Sequence, residues 1–150
     1  MFFLLFGKHL AAQNFDIELL RKINVNRNTQ LDGTMKLISN TEAYIGVGIP
    51  VSIVLAAYIK EDKVLFQKGI NMSIALATSF ATTYVLKRIV NRPRPVYTYS
   101  DIQAIEYERY YSFPSGHTSN AFCTATSLSL NFKKWYVVVP AFAWAGVVGY

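Results

Sequence analysis

The chain reads as an all-α, polytopic transmembrane helical bundle, on three observations. Hydrophobic residues make up 52% of its 150 positions and charged residues only 16%. That balance is more apolar and less charged than an average soluble domain. Apolar stretches at 43–59, 70–86, 118–130 and 135–150 are parted by short polar connections, and no segment makes a convincing strand. At this length the chain is one domain or part of one. Its mean hydropathy of +0.22 is modest, so a soluble helical protein with buried central helices stays open.

The elements follow in order. Met1 to Phe6 is apolar, and Leu10-Ala11-Ala12 has the small-residue character of a signal-peptidase site. A normal signal peptide carries its basic residues before the apolar run, whereas Lys8 follows it here. Residues 1–12 are therefore read as a signal-peptide remnant or an N-terminal anchor. Phe15, Leu19 and Ile23 recur every four residues among Asp16, Glu18, Arg21 and Lys22, which predicts a short amphipathic helix. Leu31, Met35 and Ile38 predict a second. The segment 13–42 is thus expected to lie on the membrane surface or cap the bundle.

Stretches 43–59 and 70–86 are apolar and near the short end of what spans a bilayer, roughly 17 to 25 residues. Stretch 118–130 is rich in Ser, Thr and Ala, small residues that let helices approach closely. Stretch 135–150 carries Pro140 near its first turns. About four spans are therefore expected. They put 13–42, the loop 87–117 and Tyr150 on one face. The connections containing Lys60 and Lys63, and Lys133-Lys134, fall on the other. Short basic loops favour the cytoplasm, so the first face is expected to be periplasmic, in a bacterial inner membrane. Trp135 is read as an interface anchor and Trp144 as a packing residue.

The formal charge is +6. Such a balance fits nucleic acid, anionic lipid or a phosphorylated ligand. Five of the fifteen basic residues fall between Lys87 and Arg109. No basic helix face with interleaved aromatics is present, which argues against nucleic acid. The lone cysteine, Cys123, has no internal disulfide partner and is read as a small core residue.

Two clusters carry the chemistry. Lys87 ends the second apolar stretch, and Arg94-Pro95 follows after six intervening residues. Pro93 and Pro95 bar a helix and bias their predecessors to extended backbone. Arg94 is thereby held on a stiff segment that can fold back toward Lys87. The arginine fork matches phosphate oxygens, and the lysine adds a point charge. The plainer reading is a basic helix end followed by a proline-rich turn. Pro114-Ser115-Gly116-His117 opens the third apolar stretch. Ser115 is a good N-cap residue. Gly116 lets backbone N–H groups approach an anion at the positive end of a helix. His117 can titrate near neutral pH and protonate a departing oxygen. The plainer reading here is a helix cap with an incidental histidine. Both clusters share one face, and together they supply what a phosphoryl group needs.

The spacing Lys87…Arg94-Pro95 resembles the first signature of the type 2 phosphatidic acid phosphatases, which share a superfamily with the vanadium haloperoxidases. Pro114-Ser115-Gly116-His117 matches their second signature without change. The resemblance covers roughly 40–150 and extends to the helix order. The third signature is Ser-Arg, five residues, His, three residues, Asp. It would begin near Gly149-Tyr150, so the chain is expected to be C-terminally truncated before it, with 43–150 a truncated lipid-phosphatase-type core. In the family, the third-signature histidine attacks phosphorus and its aspartate orients it. By resemblance, Lys87 and Arg94 bind phosphate, assisted by Ser115 and the Gly116 amide, and His117 is the general acid. No residue here matches the nucleophile, and His9 is not promoted to it.

The resemblance implies a membrane phosphatase that hydrolyses lipid phosphomonoesters or lipid pyrophosphates through a phosphohistidine, without metal or other cofactor. This chain alone is expected to bind phosphate weakly and turn over little or nothing. Its implied partners are membrane lipids and a phosphorylated lipid substrate. Alternatives are a non-catalytic phosphate- or lipid-binding membrane protein, a secreted acid phosphatase of the same superfamily and, last, a vanadium haloperoxidase. Asp101, Glu106 and Glu108 are read as solvated loop carboxylates, not metal ligands. Tyr97, Tyr99, Tyr107, Tyr110 and Tyr111 are read as an interfacial aromatic belt.

Overall fold

The computed structural model describes residues 15, 17–103 and 111–150. The leader or anchor expected at 1–12 lies outside them, as do Glu106, Glu108, Tyr107 and Tyr110. Helix α1 covers residues 17–25. A 3-10 turn at Thr29–Leu31 leads into α2, Asp32–Ile59. Helices α3 (Lys63–Val90), α4 (Pro95–Thr98), α5 (Gly116–Phe132) and α6 (Trp135–Gly149) follow. Among the described residues there is no strand.

The second surface helix expected through Leu31, Met35 and Ile38 is not a separate element. Met35 and Ile38 belong to the first turns of α2, and Leu31 is its N-cap. Ser39-Asn40-Thr41-Glu42 changes the polarity of the sequence but contains no glycine or proline to end a helix. At 28 residues, α2 is about 42 Å long, more than the roughly 30 Å of a bilayer core. Arg27 Nε reaches both oxygens of Asp32 at 3.1 Å, which ties the entry turn to the positive end of the helix.

Helix α1 turns a different face inward than its apolar spacing predicts. Phe15, Leu19 and Ile23 are all exposed, while Ile17 is buried and Leu20, Arg21 and Asn24 are half-buried. The inward set is held by polar contacts. Arg21 pairs with Asp101 at 2.6 Å and stacks on Tyr99 at 5.1 Å. Asn24 exchanges hydrogen bonds with the Gln103 backbone, at 2.8 and 2.9 Å. The apolar stripe is left facing outward.

Helix α2 pairs with α3, α5 with α6, and α3 against α5 joins the pairs. The Asp62 side chain caps α3 by accepting from Leu65 N at 2.9 Å. Gly69 sets the approach of α2: a Cβ there would sit 2.6 Å from Val54 Cγ2. Ala121, Ala125 and Ala145 are fully buried, with Val148 beside them. Trp144 packs on this cluster, and its Nε1 donates to Thr41 Oγ1 at 3.1 Å, which links α6 to α2. Trp135 is exposed.

Two runs, Thr29–Ile59 and Lys63–Thr98, are long and apolar enough to cross a membrane, with mean hydropathies of 1.7 and 1.2 over their most apolar 18 residues. In each, only 22% of the most apolar window is buried within the protein. The central helix of a soluble domain would be mostly buried, so these surfaces mark a membrane protein. Length and composition identify these two spans. Helix α6 is apolar but has 15 residues, about 22 Å.

Candidate functional site

The site forms where α3 ends and α5 begins. Lys87 and Arg88 lie in the last turn of α3, at its negative dipole end. Asn91 stops the helix in the left-handed region, with φ 50° and ψ 35°, and its N–H bonds Lys87 O at 3.1 Å. Asn is one of the few non-glycine residues that adopt this conformation readily. The chain then turns through Pro93. Arg94 is extended, with φ −72° and ψ 140°, as its place before Pro95 dictates. Pro95 opens the single turn of α4.

The second cluster is anchored on the first. Ser112 N donates to Arg92 O at 2.9 Å, and Ser112 Oγ reaches Arg92 O and Pro93 O, both at 3.1 Å. Three bonds from one residue thus pin the approach to Ser115 against the segment that carries Arg94. Ser115 is the N-cap of α5, and its Oγ accepts from Thr118 N at 3.4 Å and Thr118 Oγ1 at 2.9 Å. Gly116 has nothing within 4 Å of where a Cβ would stand. Its backbone faces open space at the positive end of a 17-residue helix.

The two segments enclose one cavity of 840 Å³. Lys87, Arg94, Ser115, Gly116 and His117, all singled out by spacing, line it together. Residues that spacing did not reveal line it as well, among them Arg88, Tyr84, Tyr111, Asn120 and Glu42. Arg88 is exposed and its guanidinium lies 4.8 Å from the Tyr84 ring centre, a cation–π contact that keeps a further positive charge at the rim. The arrangement offers a cationic fork, free helix-end amides and an imidazole to one anionic group.

Below the mouth, buried polar side chains gather at the cavity floor. Glu42, Asn120, Thr83 and Thr124 are buried. Ser79 Oγ donates to Asn120 Oδ1 at 2.8 Å. Asn120 and Glu42 are buried in this floor and line the same cavity. The signal for Glu42 was its place, a carboxylate at the border of an apolar helix, where an ionisable group points to function by default. His117 also lines a second cavity of 330 Å³ between α1, α2 and α6.

Asp101 is exposed, as expected of a solvated loop carboxylate, and it is paired with Arg21. Its hydrogen bond from Arg21 holds its carboxyl below the ordinary carboxylate range and pushes the guanidinium above its own. Tyr99 lies under the Arg21 guanidinium, and Tyr111 lines the larger cavity.

Comparison with known proteins bears on this site. The chain is similar to a protein named undecaprenyl-diphosphatase from Sulfolobus acidocaldarius, with 29% identity over 122 residues. The alignment covers 81% of this chain and 57% of that protein, so the chain spans little more than half the length of its relative. No solved structure matches it. A model of the PAP2 superfamily matches residues 68–150, a stretch that holds both clusters and more than half of the chain. The chain belongs to the PAP2 superfamily.

Proposed function

We propose that the protein is a membrane phosphatase that removes phosphate from a lipid phosphomonoester or, preferably, a lipid diphosphate. One observation carries this reading: Lys87, Arg94, Ser115, Gly116 and His117, drawn from two separate segments, line a single cavity at the end of lipid-facing helices. The diphosphate preference draws support from the name of the relative and from the third cation, Arg88, at the rim. A membrane substrate fits apolar helix surfaces that reach the site.

In this reading Arg94 and Lys87 hold the non-bridging oxygens of the phosphoryl group. The α5 amides at Gly116 and the Ser115 hydroxyl complete the cradle. These donors stabilise the charge that builds up as the phosphoryl group transfers. His117 gives its proton to the bridging oxygen as the P–O bond breaks, so the lipid alcohol leaves neutral and a lipid monophosphate leaves with one negative charge fewer. By resemblance to the family, a histidine of the third signature attacks phosphorus and water releases the phosphate, with no metal required. Residues 43–150 form the catalytic core in this account. Helices α5 and α6 complete a set of four spans, and the site faces away from the cytoplasm.

The test is phosphate release by the protein expressed from its complete reading frame, purified in detergent, in the presence of a chelator. Polyprenyl diphosphate, phosphatidate and phosphatidylglycerol phosphate are offered in parallel. Release that disappears in His117→Ala and Arg94→Ala variants supports the reading. No release from any of them, with inorganic phosphate still bound, would favour a non-catalytic phosphate-binding membrane protein.

A further inference from the structure

The wall that α3 gives to the larger cavity has two edges. Phe80, Thr83, Tyr84, Lys87 and Arg88 line it, at the three- and four-residue steps that mark one face of a helix. On the inner edge Thr83 is buried and Lys87 half-buried. On the outer edge Phe80 and Tyr84 are 46% and 59% exposed, and Arg88 is exposed as well. Residues that line a cavity and also face outward mark where it opens. The opening therefore follows Phe80, Tyr84 and Arg88, a stripe about 12 Å long on α3, in a run whose surface faces lipid. The stripe passes from apolar through phenolic to cationic. That is the order met along a lipid from its chain to its phosphate.

Arg88 is held at this opening by an aromatic ring and not by an acid. Its guanidinium lies 4.8 Å from the Tyr84 ring centre. The ion pairs among the described residues are Arg21 with Asp101 and Arg27 with Asp32, so no described carboxylate neutralises Arg88. A ring beneath a guanidinium restrains it while its donors, which lie in the guanidinium plane, stay available to an anion. Lys87 and Arg88 are consecutive, and their side chains leave the helix about 100° apart. They therefore serve neighbouring positions, Lys87 the inner edge and Arg88 the opening. With the terminal phosphate of a lipid diphosphate in the cradle and its chain leaving through the opening, the phosphate bonded to the chain falls between them, at Arg88. A lipid phosphomonoester places only the first carbons of its chain there.

We propose that Arg88, stacked on Tyr84, selects a lipid diphosphate over a lipid phosphomonoester by binding the phosphate next to the chain. The inference rests on the reading above, which places the terminal phosphate against Lys87, Arg94 and the α5 amides. In the transfer, the bond between the terminal phosphorus and the bridging oxygen breaks. That oxygen takes the electron pair and the His117 proton. The departing lipid monophosphate is still an anion, and Arg88 offsets its charge as it forms. A departing lipid alcohol is neutral and gains nothing from Arg88. Tyr84 is the positioning residue, because its ring sets the plane of the arginine fork.

The readout is the ratio of kcat/KM for a polyprenyl diphosphate to that for the monophosphate of the same chain, in the protein expressed from its complete reading frame. R88M and R88Q keep an aliphatic stem over Tyr84 and remove the charge. Each should lower the ratio by about tenfold or more, and R88K, a charge without the fork, should fall in between. Y84F should keep the ratio and Y84L should lower it; a Y84L ratio equal to that of the wild type would strike the positioning role of Tyr84. An unchanged ratio in both R88M and R88Q would overturn the proposal. An equal loss on the two substrates would do the same, because it would assign Arg88 to the cradle. Should the wild type hydrolyse neither lipid, the proposed function fails, and 31P NMR of added methylenediphosphonate and inorganic phosphate still decides Arg88. R88M should then weaken the diphosphonate about tenfold and more than it weakens phosphate; equal weakening, or none, overturns the proposal.

Discussion

Helix α5 is buried on two sides, and the two sides are built from opposite chemistry. Toward α6 it presents Ala121 and Ala125, which meet Ala145 with no exposed surface left on any of the three. Toward α2 and α3 it presents Asn120 and Thr124, equally buried but polar, beside Glu42 and Ser79. The alanine seam is close packing, which gains stability from contact alone. The polar seam holds a carboxylate oxygen and a hydroxyl that have no hydrogen-bond partner among the described residues, and burying such groups costs stability. Equal burial therefore does not mean equal stabilisation.

The largest expected effect tests the polar side. His117→Ala and Arg94→Ala should each lower phosphate release from a lipid diphosphate by at least about 100-fold, with helical circular dichroism unchanged. Full activity in either variant would remove that residue from the site. The alanine side should respond in the reverse way. Ala125→Leu forces extra methylenes into a seam without room and should cost about 1–3 kcal/mol, read from denaturant unfolding in detergent. A variant as stable as the wild type would show that the seam is loosely packed.

Two glycines sharpen the same contrast. Gly69→Ala puts a Cβ 2.6 Å from Val54 Cγ2, so α2 and α3 must separate and the unfolding midpoint should fall despite the better helix propensity of alanine. Gly116→Ala meets no protein atom within 4 Å. It should leave stability unchanged or slightly higher, while inorganic phosphate, followed by 31P NMR, binds about tenfold more weakly for want of close approach to the amides. The smallest effect is expected at the outer latch. Asp101→Asn should leave the unfolding midpoint in place and speed hydrogen exchange of residues 17–25. The folded carboxyl titrates below its ordinary range. Its contribution is therefore present above the unfolded value, roughly 3.9, and is lost only as pH falls through the lower folded value. Exchange in 17–25 should thus be insensitive to pH change near neutrality, beyond the intrinsic rate, and rise in acid.

Much of this was legible in the chain itself. The apolar stretches became helices, and α2 and α3 run on beyond theirs into flanking residues, as at Ser39–Glu42 and from Lys63. The five motif residues could be chosen because local chemistry decides their conformation. Pro95 extends Arg94, Ser115 caps α5 and Asn91 ends α3. The inward face of α1 could not be read by apolar spacing, because Arg21 and Asn24 hold it through Asp101 and Gln103, nearly eighty residues away. Periodicity sees only a helix's own residues.

The sequence by itself determined an all-helical membrane protein with a phosphate-suited pair of clusters, since hydropathy, capping and proline geometry act over a few residues. The tertiary structure alone decided what stands behind those clusters. Glu42 reads as a polar border residue until α5 crosses α2 and buries it beside Asn120. Ser112 reads as a loop serine until its three bonds join the two motifs. Burial and long-range hydrogen bonding depend on which helices meet, and no local rule of the chain carries that information.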